Sequence, residues 1–406
     1  MALSGSSFVF LPILLFTLAG CAAGNPSARS LTAPSTPAPA TPSTPSTPVS
    51  STPASGTAAI AYSVSNSITT SATGLNYAAS VIGYPTNAIG PINPTTNTFS
   101  STNPILTINS IDPAQEYAGL ATDAPGNIYV LAADFDSTFE PIPETAEILV
   151  FAPVTSGTMT ANPIRTITGP AANLDKAGRI AVDAAGDIYL WEEGSSGLPP
   201  APSTIVEFDA GANGNVAPIR TIDVAQFPSL DGSGYPAGLA VDDAGNIVFA
   251  VSNAPTVTNM VQTESDQIEI FTPSQSGNAT PARTISGPQS QLTQIASLAL
   301  DPKGNIYVEM EDYSTGNNPA ILQFTGGADP ITSSSPVTDI AGSATMLSRF
   351  YLESLAVDAA GNTYLLDYTF PGETTNYLLR FAPGATGDAV PDATIPLQAG
   401  VLLDVR

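Results

Sequence analysis

Histidine is absent from the 406 residues and cysteine occurs once. Without imidazole there is no Ser-His-Asp triad, no histidine-held zinc or iron, and no side chain whose ordinary pKa lies near neutrality. With a single thiol, no disulfide closes within the chain. Cations are scarce as well: ten Lys and Arg stand against 35 Asp and Glu, for a net charge of −25. A field of that sign repels phosphate backbones and anionic surfaces, so nucleic acid is excluded as a partner and cations or basic partners are favoured. Charged residues reach only 11%, against 43% hydrophobic, so most of the chain is expected to fold.

The one cysteine is informative by position. Residues 8–20, FVFLPILLFTLAG, form an apolar stretch that is short for a bilayer span and interrupted by Pro12. Ending in small residues, it has the layout of a secretory signal over residues 1–20. The tetrapeptide Leu18-Ala19-Gly20-Cys21 closely resembles the lipobox of bacterial lipoproteins, although MALSGSS carries no Lys or Arg. That resemblance implies cleavage before Cys21, acylation of its thiol and amine, and anchoring at the cell envelope, in the outer membrane or at the cell surface. Two or three acyl chains hold where one is marginal.

Residues 21–57 are dominated by Pro, Ser, Thr and Ala, as in TAPSTPAPATPSTPSTPVSSTPASG. This composition has almost nothing to bury and is expected to stay extended as a stalk. At ~3.1 Å per residue, some thirty residues reach on the order of 90 Å.

A repeat fills the rest. GLATDAPGNIYV begins at Gly119, RIAVDAAGDIYL at Arg179, GLAVDDAGNIVF at Gly238, SLALDPKGNIYV at Ser297 and SLAVDAAGNTYL at Ser354, spaced by 60, 59, 59 and 57 residues. A fixed period of this kind marks a repeat architecture. Each copy reads as a β-hairpin: an apolar run, an Asp-x-x-Gly-Asn/Asp turn, and a run of Ile, Tyr and Val. Third strands follow (EILVF at Glu147, TIVEF at Thr204, QIEIF at Gln267, AILQF at Ala320, YLLRF at Tyr377). Fourth strands open on Pro-x-x-Thr-Ile at Pro163, Pro218, Pro281 and Pro391, with a weaker form at Pro336. Four short strands per unit, repeated radially, make a β-propeller blade.

The ends supply one more blade. AAIAYSV from Ala58, ASVIGYP from Ala79 and ILTINS from Ile105 fit second, third and fourth strands, and GVLLDV (400–405) fits the missing first. Aligned with GLATD, it places Asp404 at the turn position. The fold class expected is therefore all-β: a six-bladed propeller of four-stranded antiparallel blades over 58–406. Its sixth blade combines 58–110 with 398–406, which removes the free edges of an open ring.

These copies resemble NHL-repeat propellers and the related six-bladed group of SMP-30/gluconolactonase-like and TolB-like proteins. The resemblance covers about residues 58–406 and implies the fold, since such propellers host binding proteins, lyases and lactonases alike.

Asp123, Asp183, Asp242, Asp301 and Asp358 recur once per repeat, as a turn former does and a catalytic acid need not, and are expected to cap the hairpin turns. Arg165, Arg220 and Arg283 recur in the fourth strand and are expected to tie neighbouring blades. The second-to-third-strand connections are less repetitive and acid-rich: DFDSTFEPIPETAE (134–147), EEGSSG (192–197), MVQTESD (260–266), EMEDYSTGNN (309–318) and DYTFPGETT (367–375). Trp191, Tyr313, Tyr368, Phe139 and Phe370 lie among the acids. Loops on a rigid scaffold are where binding concentrates. Asp134, Glu193, Asn253, Asp312 and Asp367 are the candidate metal ligands, whose oxygens could hold Ca²⁺; no other cofactor is expected.

Two functions follow. One is an envelope-anchored binding module, a monomer held to the membrane through Cys21, that takes a protein, peptide or glycan on its acidic loop face. The other is a divalent-metal hydrolase resembling the gluconolactonase group; no catalytic motif of that group matches here.

Overall fold

The computed structural model describes residues 60–71, 74–85, 105–110, 115–134, 142, 145–154, 156–174, 177–193, 203–224, 234–253, 256–258, 261–263, 266–310, 319–330, 334–347, 352–367, 376–397 and 403–405. The signal segment, Cys21 and the stalk lie outside them.

Six antiparallel sheets of four strands form a ring, a β-propeller. Blade 1 runs Gln115–Thr122, Ile128–Asp134, Glu147–Phe151 and Arg165–Thr168. Blade 2 begins with Ala177–Val182 and Ile188–Glu192, blade 3 with Gly234–Val241 and Ile247–Asn253, blade 4 with Ile295–Leu300 and Ile306–Met310, and blade 5 with Leu352–Val357 and Thr363–Asp367. Blade 6 takes Leu403–Val405 as its innermost strand beside Ile60–Ser71, Gly74–Pro85 and Leu106–Asn109. The two chain ends thus share one sheet.

The core is divided into six clusters, one in each blade-to-blade interface. Alternate residues of a strand face opposite neighbours, and this explains the continuous apolar runs in the second strands. In Ile188–Glu192, Ile188 and Leu190 pack toward blade 1, while Tyr189 and Trp191 pack toward blade 3. The cluster joining Tyr364, Leu366 and Leu378 to Ala61, Tyr84, Leu403 and Val405 closes the ring between blades 5 and 6.

Each repeated Asp does turn work. The Asp358 Oδ1 accepts the Ala360 and Asn362 N–H groups at 2.9 and 2.8 Å, and its Oδ2 accepts Asn362 Nδ2 at 2.7 Å and the Tyr364 hydroxyl at 3.0 Å. Asp123, Asp183, Asp242 and Asp301 make closely similar sets. The glycine three residues on has φ between 77 and 92°, which a side chain would strain. Asp404 is a correction to the alignment. Tyr129 pairs with Ala121, two residues before Asp123; its counterpart Tyr62 pairs with Asp404. Asp404 therefore sits two residues short of the turn, inside the strand.

Two devices had no sequence reading. First, the third-to-fourth-strand connection of one blade lies parallel against the fourth strand of the blade before it. Gly157–Thr160 pairs with Leu106–Asn109, and single bridges join Ile167 to Gly214, Ile222 to Gly277 and Ile340 to Gly387. This stitch covers outer edges that would otherwise be open to other chains. The recurring arginines reinforce it. Arg165 Nη1 donates to the Ala212 carbonyl at 3.0 Å, Arg220 Nη1 to Pro273 at 2.7 Å and Arg283 Nη1 to Thr325 at 2.7 Å, each in the next blade. Second, the first strand of every complete blade carries a one-residue register shift against the second strand, as between Tyr117 and Gly119 or Ile295 and Ser297. Such bulges bend the innermost strand near its start.

Candidate functional site

Within a blade, the Asp hairpins mark one face of the ring. The opposite face carries the starts of the first strands and the ends of the second. There the register sets Gln115 opposite Asp134, Ala177 opposite Glu192, Gly234 opposite Asn253, Ile295 opposite Met310 and Leu352 opposite Asp367. Four of the five sequence candidates thus fall at equivalent levels: Asp134, Asn253 and Asp367 end their strands, and Glu193 follows Glu192 directly, exposed. Asp312 lies outside the described residues. Register brings these positions to one face, on different blades. Among the described residues no three His, Cys, Asp or Glu side chains come together as a metal-holding group.

The acids on this face divide by what they touch. Asp266 is a tie rod between blades 3 and 4: its Oδ2 accepts the Ser252 hydroxyl at 3.2 Å and the Ile295 N–H at 2.9 Å. Glu309, fully buried, accepts the Ser297 hydroxyl at 2.7 Å across the bulge. Glu147 accepts Gln115 Nε2 at 2.7 Å, and Gln115 in turn accepts the Ser110 hydroxyl at 3.2 Å. This polar chain borders a cavity of about 100 Å³ between Tyr117, Leu149, Phe151, Ala161 and Pro163. The connection after Asp134 is held by its backbone: Ile142 N–H donates to the Asp134 carbonyl at 2.8 Å, and the Asp134 N–H donates to the Thr145 hydroxyl at 3.1 Å.

Glu192 is the residue that sequence reasoning passed over. It is buried, with one carboxylate oxygen 3.4 Å from the Thr204 hydroxyl and the other without a hydrogen-bond partner among the described residues. Burial pushes its carboxyl up to about 7, against a small opposing effect of the Thr204 hydroxyl. The only signal was its place at the inward-facing phase of an apolar strand, IYLWE. Glu269, in the third strand of blade 3, is likewise buried and raised by desolvation. Trp191 is a correction: it is 6% exposed, in the interface with Leu239 and Phe249, and presents no aromatic surface to a ligand. Phe139, Tyr313, Tyr368 and Phe370 lie outside the described residues.

Among the described residues, two of the second-to-third-strand connections are β-ribbons. In blade 6, Ile60–Ser71 and Gly74–Pro85 pair without a register shift over twelve residue pairs. In blade 3, Thr256–Thr258 pairs with Val261–Thr263. Three steps apart in a ring of six, these ribbons stand on opposite sides of the same face.

Neither a family model nor a curated protein sequence matches the chain. Solved structures similar to it include an outer coat vertex of COPII on membranes, at 10% identity and a TM-score of 0.43 over 85% of this chain and 84% of that one. A luciferin-regenerating enzyme matches at 11% identity and a TM-score of 0.40, over 69% of this chain and 76% of that one. A GH43 glycoside hydrolase with endo-xylanase and exo-arabinofuranosidase activity matches at 13% identity and a TM-score of 0.31, over 72% and 52% respectively.

Proposed function

We propose that this chain is a binding module of the bacterial cell envelope, a propeller of the NHL or SMP-30/TolB-like kind. In this reading Cys21 carries the lipid anchor, the stalk lifts the ring from the membrane, and the second-to-third-strand face receives a protein, peptide or glycan.

The observation that carries the reading is the asymmetry between the two faces. On the hairpin face, the repeated aspartates are saturated by turn donors. The other face carries Asp134, Glu193 and Asp367 at or beside strand ends, and none of the ten Lys and Arg falls in its second-to-third-strand connections, 134–147, 192–204, 253–267, 310–320 and 367–376, Lys176 and Arg349 lying in the fourth-to-first connections. A rigid ring that uses one face for its own turns leaves the other to ligands.

The face is tested by calorimetric titration of the full chain with cationic peptides and neutral oligosaccharides. At least one class binds, Glu193→Arg weakens it, and Lys303→Glu on the hairpin face leaves it unchanged. No binding by either class, or equal loss in both variants, overturns the reading. The anchor is tested by fractionation: Cys21→Ser leaves the membrane fraction, and its retention there refutes lipidation.

A further inference from the structure

The hairpin of blade 2 departs from the repeat at one residue. In blades 1, 3, 4 and 5 the turn aspartate is followed four residues on by Asn127, Asn246, Asn305 and Asn362. Their amides donate to its Oδ2 at 2.6, 2.8, 2.8 and 2.7 Å. Blade 2 has Asp187 there, and a carboxylate has no hydrogen to give. Among the described residues, Asp183 Oδ2 is left with the Tyr189 hydroxyl at 3.5 Å.

Asp187 turns instead to the third-to-fourth-strand connection, where its Oδ1 accepts the Ala210 N–H at 2.7 Å. A second departure from the repeat matches the first. The place of Ala210 is taken by Pro153, Pro273 and Pro383 in blades 1, 3 and 5, and proline offers no N–H. Gly326 keeps one in blade 4, yet Asn305 there donates to the turn. Of these five blades, only blade 2 sets an acid at one position against an N–H at the other.

The connection that Asp187 grips is the one that stitches blade 2 to blade 1. The Ala212 carbonyl accepts Arg165 Nη1 at 3.0 Å, and the Gly214 N–H donates to the Thr166 carbonyl at 2.6 Å. The groups around Asp187 are mostly acidic. Asp183 faces it across the turn, and Glu207 and Asp209 from the third strand and its end. Arg220 is taken by Glu207 and lies over the Tyr189 ring. Across the seam, Gly186 lies beside the Tyr129 hydroxyl and Asp123, and Arg165 donates to that hydroxyl at 3.3 Å. Burial raises the Asp187 carboxyl above the ordinary aspartate range. The Ala210 N–H opposes the rise, and Asp183, Glu207 and Asp209 add to it.

We infer that Asp187 is an acid-sensitive latch on the stitch between blades 1 and 2. Ionised, it holds the Ala210 N–H. On taking a proton from water it turns to donate to Asp183 Oδ2, closing the hairpin as asparagine does in the other blades, and the connection is released. The latch belongs to the hairpin face and does not depend on what the opposite face binds.

The test is amide NMR of the full chain between about pH 3 and pH 7, a span that brackets the ordinary aspartate value. The Ala210 amide proton shifts with a single midpoint above that value. Below the midpoint, Gly214 loses about tenfold of its protection against hydrogen exchange, the worth of one hydrogen bond. In Asp187→Asn neither signal changes with pH, and Gly214 keeps the lower protection throughout. An Ala210 amide that does not titrate, or that titrates alike in the variant, overturns the inference. If Ala210 titrates while Gly214 protection stays constant, the carboxyl changes state without releasing the stitch, and the latch is refuted. Should the variant misfold, the two signals in the wild type still decide.

Discussion

Thr122 donates its hydroxyl hydrogen to the Asp404 carboxylate at 2.6 Å, across 282 residues of sequence. The bond joins the first strand of blade 1 to the last strand of the chain, at the seam where the ring closes. Beside it Leu403 and Val405 are buried against Ala61 and Tyr84.

Closure is therefore expected to carry much of the stability. Leu403→Ala should cost about 3 kcal/mol, as for a buried leucine whose site cannot collapse. Removal of 398–406 should cost more, because it also bares the edge of Ile60–Ser71 inside the blade. Urea denaturation measures both, and a truncated chain that unfolds at the wild-type midpoint would show that the seam contributes nothing.

Glu192 gives the protein a pH dependence of definite sign. Its carboxyl titrates near 7 when folded and near 4.5 when free of the burial that raises it. Between those values the folded state holds a proton that the unfolded state has released. Stability from this group is thus fully present below about 4.5 and is lost as pH rises toward 7, with a slope of up to about 1.4 kcal/mol per pH unit. Glu192→Gln, neutral at every pH, should remove that part of the slope and exceed the wild type by about 3 kcal/mol at pH 8. Urea midpoints from pH 4.5 to 8 check it; parallel curves for the two proteins would refute the assignment. Glu269 and Glu116, also raised by burial, leave a residual slope of the same sign in both.

The blades were legible because their signals repeat. A period near 59, an Asp-x-x-Gly turn and alternating burial on both strand faces all point to one answer, and the pairing of Leu403–Val405 with Ala61–Ser63 agrees with it. Asp404 was misplaced because a three-residue strand carries too little pattern to fix its register. Trp191 was read as a loop aromatic because it adjoins two glutamates, whereas strand phase turns it inward between blades. The parallel stitch was invisible: a single bridge such as that at Gly214 leaves no periodicity to find. The candidate site was legible only as a face, because register along a blade is local, whereas convergence across blades depends on connections that do not repeat.

Arg220 should be the most costly of the recurring arginines to remove. It pairs with Glu207, with both side chains less than 15% exposed, and its Nη1 reaches the Pro273 and Gln275 carbonyls of blade 3 at 2.7 and 3.3 Å. Arg220→Ala strands a buried carboxylate and opens the stitch, for a loss of about 3 kcal/mol. Adding Glu207→Ala should restore part of it, since the unpaired charge is then gone. A double-mutant cycle in urea reads the coupling, and simple additivity of the two losses would refute the pairing.

Asp358 and Asp242 test the division of labour between the two faces. Both accept two backbone N–H groups and an asparagine amide. Asp358 also accepts the hydroxyl of buried Tyr364, at 3.0 Å, whereas the matching position after Asp242 is Val248. Replacement by Ala leaves backbone donors without acceptors in either turn, at about 1–3 kcal/mol, and the extra bond puts Asp358→Ala at the upper end. Both variants should hold any ligand of the opposite face with unchanged affinity once folded, because neither carboxylate reaches it. Thermal melts rank the two variants. A loss of binding in folded Asp242→Ala would return that aspartate from turn former to functional acid.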